Sequence, residues 1–159
     1  MPKPPVASRG HGLRRLDQSS LLSLLGYHLR RADVRMDQTF RKCISKPFKL
    51  KPVEFSVLSL ITVNTGVTYK ELGEALNVAG PNLALIIASM QKRKLVIRRP
   101  NPLDGRSMFL EASPKGQKLL VQVRAAVEAL ESELLAGWSA EQRDTLFRML
   151  SKLHRIGSG

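Results

Sequence analysis

The sequence has one cysteine, no apolar run of the roughly 18 residues that a membrane span requires, and only 13 Asp and Glu against 26 Lys and Arg. Cys43 alone cannot form an intramolecular disulfide or hold zinc. Its neighbours Arg41, Lys42 and Lys46 are of the kind that can make a thiol redox-reactive, but charged flanks by themselves leave an inert, half-buried cysteine as the expectation. Without a long apolar run, and with no hydrophobic block in "MPKPPVASRGHG", the chain is expected to be soluble and cytoplasmic with no membrane partner. The histidines are scattered at His11, His28 and His154. No phosphate-cradling Gly loop, paired metal-spaced histidines or visible Ser-His-Asp set accompanies them, so no enzyme, metal or cofactor is expected.

The shortage of acids leaves a net charge of +13, which favours a polyanionic partner. A length of 159 residues suits one domain with a sizeable core. Residues 1–15, rich in Pro, Gly and base, read as a mobile basic arm, and residues 16–159 as one domain. Leu21, Leu22, Leu25, Leu29, Ala32, Met36 and Phe40 recur at helical spacing, predicting a long helix over about 19–46 that Ser19 or Ser20 caps and Pro47 ends. A second helix begins at or just after Pro52 with Phe55, Val57, Leu58, Leu60 and Ile61 as its apolar set.

"VTYKELGEALNV" opens on the capping-box pair Thr68 and Glu71 and carries Leu72 and Leu76 on one face, a third and short helix. The turn through Asn77 to Gly80 leads to Pro81 at the start of a fourth, where Leu83, Ile86, Ile87 and Met90 follow the i, i+3, i+4, i+7 pattern. Two short helices on a tight turn make a helix-turn-helix. "LVIRR" from Leu95 and "SMFLEA" from Ser107 read as a hairpin, a wing, across the Pro/Gly/Asn/Asp turn. Ser113 and Pro114 open a long helix with Leu119, Leu120, Val123, Val127, Leu130 and Leu134 inward, and Ser139 with Gln142 opens a last one with Leu146, Leu150 and Leu153 as a seam. The fold class is thus mainly α with a small β-hairpin wing. A winged helix-turn-helix core over about 52–112 is flanked by terminal helices, about 19–46 and 114–156, whose apolar stripes are expected to pair with a second copy.

The stretch "TYKELGEALNV…LALIIASMQKRKLVIRR…DGRS…ASPKG" resembles the MarR family of winged helix-turn-helix transcription regulators, and the resemblance extends over about residues 20–155. Its landmarks are Leu72, Leu95 with Val96, Asp104 with Arg106 and Ser107, and Ser113 with Gly116. The resemblance implies a homodimer bound to a pseudo-palindrome in double-stranded DNA, and most often repression. It also implies that Arg106 enters the minor groove while Asp104 orients it across Gly105. A guanidinium gains there from the enhanced negative potential of a narrow A·T groove.

Base reading is expected from the early outer face of the recognition helix, Pro81, Asn82, Leu85 and Ser89, with Lys92 beyond them. Lys92, Arg93, Lys94, Arg98, Arg99 and Arg106 concentrate positive charge at the end of that helix and the wing, where phosphates are expected to lie. Ala79, Gly80, Pro81, Ala84 and Leu85 stand where the family commonly has Ser, Arg, Ser, Thr and Arg, and Lys94 stands where it often has Gly. By contrast "AVEALESELLAGWSAE" carries four glutamates and no base, so the distal helices should face away from DNA. The family's effectors imply a small aromatic acid or aromatic acyl-CoA, for which Tyr27, His28, Arg30, Arg31 and Phe40 could supply an aromatic wall and an anion partner. The competing reading of the charge is a basic architectural DNA- or RNA-binding protein without operator specificity.

Overall fold

The computed structural model describes residues 16–102 and 104–155, and the side chains of Arg106 and Arg155 lie outside that description. The basic arm expected at 1–15 also lies outside the described residues. One compact unit ends at Met36 and a second begins at Asp37. The helices are α1 (Leu25–Phe40), α2 (Lys46–Phe48), α3 (Pro52–Val63), α4 (Tyr69–Leu76), α5 (Gly80–Lys92), α6 (Pro114–Leu134) and α7 (Ala140–Arg155); between α5 and α6 lie β1 (Val96–Asn101) and β2 (Asp104–Ala112).

The expected single helix over 19–46 is broken at both ends. Asp17 Oδ1 accepts the Ser19 N–H at 2.9 Å and starts a 3-10 turn over Ser19–Leu21, so the α-helix proper begins only at Leu25. That hydrogen bond to the Ser19 backbone holds the Asp17 carboxyl below its ordinary range. At the other end Pro47 does not stop the chain. Arg41–Ser45 widen into a π-helical turn, which relieves the clash a proline ring makes with the carbonyl four residues back. Pro47 then occupies the first turn of α2, where no N–H is needed, and Lys49, with φ 53°, ends the helical run.

The helix-turn-helix forms where its punctuation lies. Thr68 Oγ1 accepts the Glu71 N–H at 3.3 Å and Glu71 Oε2 accepts the Thr68 N–H at 2.7 Å, the reciprocal capping box. These bonds, that from the Thr68 backbone first, keep the Glu71 carboxyl below its ordinary range. A carboxyl whose folded-state pKa is depressed stabilises the fold above its unfolded value, and the contribution fades as pH falls through the lowered one. Asn77 takes the left-handed conformation, φ 50°, that closes α4. α5 follows with Pro81 in its first turn, at 111° to α4.

The core is one cluster in the second unit. Ile44 from the π-turn, Leu50, Val57, Leu58 and Ile61 from α3, Leu72 from α4 and Leu83, Ile87 and Met90 from α5 meet Leu95, Val96 and Leu110 of the wing base and Leu120, Val123 and Leu130 of α6. β1 and β2 pair antiparallel from Val96 opposite Ala112 to Asn101 opposite Asp104, with an irregularity at Pro100 and Asn101. A bridge the sequence does not announce ties the wing back to the loop before α4: Leu110 N–H donates to the Val67 carbonyl at 2.8 Å. The stripe of α6 is covered within the chain, with Leu119, Val127 and Leu134 packed half-buried beside its three core residues. By contrast α1 has no buried residue, and α7 exposes Phe147, Met149, Leu150 and Leu153.

The start of α6 explains the Ser-x-x-Gly landmark. Ser113 Oγ accepts the Gly116 N–H at 3.0 Å and donates to the Lys94 carbonyl at 2.6 Å, so one hydroxyl caps the helix and fixes the end of α5. Gly116 lies so close to that turn that a Cβ would stand 2.2 Å from the Leu95 carbonyl oxygen. Lys94 itself has φ 60°, a conformation that costs a residue with a Cβ about 1–2 kcal/mol and that glycine adopts freely. Two urea titrations follow: Gly116→Ala should lose about 1–3 kcal/mol by overpacking, and Lys94→Gly should gain about 1 kcal/mol.

Candidate nucleic-acid interface

Every third or fourth residue of α5 turns into the core, and most of the others face outward. Pro81, Asn82, Leu85, Ser89 and Lys92 are all exposed, while Leu83, Ile87 and Met90 are buried. The outer face between Gly80 and Lys92 therefore carries one amide, one hydroxyl, small alanines at 84 and 88 and Leu85, which is 72% exposed. No charged side chain appears on α5 before its last residue.

The basic residues after α5 divide into groups with different work. Arg93 is turned inward. Its Nη1 lies 3.0 Å from both carboxylate oxygens of Glu54, and its Nη2 donates to the Lys49 carbonyl. The Glu54 carboxylate also accepts the Lys51 N–H at 2.9 Å, and its side chain is only 5% exposed. Lys115 Nζ donates to the Arg93 carbonyl at 3.0 Å. Arg93 thus belongs to the frame of the site, though in the sequence it stands among residues that read as a phosphate-binding cluster. Arg99 donates through Nε to Glu111 at 2.6 Å and remains 62% exposed. The Arg98 guanidinium lies 5.2 Å from the Tyr69 ring centroid at the start of α4, a cation-π contact between the wing and the helix-turn-helix. Lys92 and Lys94 are exposed at the end of α5.

At the wing tip, Asn101 Nδ2 donates to Ser107 Oγ at 2.7 Å, and Ser107 Oγ donates to the Asp104 carbonyl at 3.2 Å. Ser107 therefore shapes the turn. Asp104 is exposed at the start of β2. The bracing of Arg106 by Asp104 concerns a side chain outside the described residues.

The residues expected to meet an effector are only partly gathered. Tyr27 and His28 stack edge-on at 5.8 Å, and Arg31 lies over the Tyr27 ring at 5.7 Å and donates to its hydroxyl at 3.2 Å. Arg30 is engaged with Asp33 at 2.9 Å. Phe40 packs half-buried in the second unit, 6.3 Å from Phe55. Cys43 is half-buried beside the same core. Among the described residues no three His, Cys, Asp or Glu side chains converge as a metal site, and no single helix is long and apolar enough to cross a membrane.

Two helices at 111° followed by a paired hairpin define a winged helix-turn-helix protein. The profile of the MarR family matches residues 48–107. A candidate transcriptional regulatory protein for the hcr operon of Thauera aromatica is 27% identical over 146 residues, 92% of this chain and 88% of its own length. An HTH-type transcriptional regulator of Mycobacterium bovis is 34% identical over 98 residues, 60% of this chain and 68% of its own. The transcriptional repressor CouR, solved bound to a 23-mer DNA duplex, superposes with a TM-score of 0.83 at 32% identity, covering 89% of this chain and 99% of that one. CouR bound to p-coumaroyl-CoA superposes at 0.77 and 30% identity over 89% and 97%. The chain belongs to the MarR family of DNA-binding transcription regulators, and these relatives are regulators and not enzymes.

The inward Arg93 gives the site a mechanical anchor. Removing the negative charge by Glu54→Gln should cost about 2 kcal/mol in urea unfolding, less than a fully buried pair because Arg93 keeps partial access to water.

Proposed function

We propose that the protein is a ligand-responsive repressor that acts as a homodimer on a pseudo-palindromic operator. The observation that carries the DNA contact is the exposed, charge-free outer face of α5 ending in Lys92 beside a basic wing. Pro81, Asn82, Leu85 and Ser89 face the floor of the major groove. Lys92, Arg98 and the free nitrogens of Arg99 lie toward phosphates. Asp104, Ser107 and Arg106 form the wing tip that approaches the minor groove. The similarity to CouR, a repressor bound to duplex DNA, supports this orientation and the sign of regulation.

The homodimer reading rests on apolar surface that the described chain leaves uncovered. Leu21, Leu22, Leu24 and Leu25 in and before α1, and Phe147, Met149, Leu150 and Leu153 on α7, are exposed. Water contact over such a set is costly, and a two-fold partner removes it. Two reading heads in successive major grooves then place half-site centres about 34 Å apart.

The effector is proposed to be an aromatic acid or its CoA thioester, the class to which CouR's p-coumaroyl-CoA belongs. The Tyr27, His28 and Arg31 cluster, with Arg30 beside it, offers aromatic faces and cationic donors for such an anion. Binding would lower DNA affinity only to the extent that the ligand prefers one dimer conformation.

Selection of genomic fragments by the purified protein at near-physiological salt should recover a two-fold-related motif; recovery without a motif would replace this reading by architectural binding. On that motif, Lys92→Ala should weaken all sequences and lower the slope of log affinity against log salt by about one, whereas Asn82→Ala should relax base preference at one position by about 1–3 kcal/mol. Arg93→Ala, which strands the buried Glu54 carboxylate, should lower stability in urea while leaving the salt slope of the folded protein unchanged. An unchanged slope in Lys92→Ala together with a reduced one in Arg93→Ala would invert the assignment.

A further inference from the structure

We infer that the recognition helix reads thymine methyl groups through Leu85, so that the bases it faces are A·T pairs and not guanines. The inference rests on the DNA-binding reading above and deepens it. Guanine is read in the major groove by Arg or Lys in a paired contact with O6 and N7. α5 carries neither until Lys92, its final residue, and Arg93, the next cation, is committed to Glu54 and the Lys49 carbonyl. What the outer face offers instead is the isobutyl group of Leu85, 72% exposed, flanked by exposed Ala84, Ala88 and Pro81.

An apolar side chain gains in the major groove only where it displaces water from another apolar group. The C5-methyl of thymine is the one such group that an unmodified base pair presents there. Asn82 lies three residues before Leu85 on the same face and is also exposed. Its amide can donate to N7 and accept from N6 of an adenine, the pattern of an A·T pair. The two side chains therefore favour the same composition, one by an apolar contact and the other by a paired hydrogen bond. Leu85 would be the specificity-determining residue, because any pair without a methyl leaves its side chain against water or polar edges.

The test replaces each thymine of the selected operator, one at a time, by deoxyuridine, which removes the methyl and keeps the base pairing. Binding is measured for the unsubstituted protein and for Leu85→Ala. An exposed position tolerates this truncation, and unchanged helical circular dichroism would verify the fold. For the unsubstituted protein, affinity should fall about fourfold at one or two thymines per half-site, and Leu85→Ala should lose that sensitivity at the same positions. Placing a C·G pair there should weaken binding, and 5-methylcytosine in that pair should recover part of the loss through Leu85 alone. An operator indifferent to every thymine methyl would overturn the inference, as would equal sensitivity in Leu85→Ala, which would assign the methyl effect to DNA shape. Both results presuppose a selected motif, so they leave the DNA-binding reading standing; failure to select any motif would overturn that reading and this inference together.

Discussion

Glu54 keeps a carboxylate almost wholly out of water because donors from separate parts of the chain converge on it. The Lys51 N–H reaches it from its own helix start, and Arg93 reaches it from 39 residues away at the end of α5. An unpaired buried carboxylate would be severely destabilising, and a guanidinium left without it, keeping partial access to water, less so. The pair therefore fixes the C-terminal end of the reading helix against the start of α3. The same two-residue turn is held from the other side by Ser113 on the Lys94 carbonyl and Lys115 on the Arg93 carbonyl. The end of α5, the origin of the wing and the start of α6 are thus joined by Glu54 and the contacts between Arg93 and Gly116.

That arrangement ties the end of α5, the wing base and the start of α6 to one another. The capping box fixes α4, Pro81 fixes the start of α5, and the junction fixes its end. The outward residues of α5 can vary without disturbing the core. On the proposed reading, specificity changes at Asn82, Leu85 and Ser89 while the frame is retained. The departures from the common family residues lie on that outer face or at its start, at Ala79, Gly80, Pro81, Ala84 and Leu85. Lys94 is a departure of another kind, since it accepts a left-handed backbone inside the frame itself.

Much of the frame was legible in the sequence because local signals mark it. Thr68 with Glu71, Pro81, Ser113 with Pro114 and Ser139 with Gln142 each act within a single helical turn, and each forms the cap or start expected of it. Apolar spacing likewise separated the buried from the exposed side of α5. The pairing of Glu54 with Arg93, the Arg98 contact with Tyr69 and the Leu110 bridge to Val67 join residues far apart in the chain and leave no periodic trace. Arg93 illustrates the consequence, since among lysines and arginines nothing local distinguishes a cation turned toward a carboxylate from one turned toward solvent. The π-turn at Arg41–Ser45 escaped for a related reason. Pro47 signals the end of a helix, but a widened turn upstream lets the helical path continue past it.

On the proposed reading, two copies of the protein present α5 to the major groove and the wing to the minor groove of one operator. Hydroxyl-radical footprinting on the selected DNA tests it most directly. Two protected patches related by two-fold symmetry are expected on one face of the duplex, about one helical turn apart, with minor-groove protection where the wings reach. Continuous protection without a centre of symmetry, extending with protein concentration along any sequence, would contradict it.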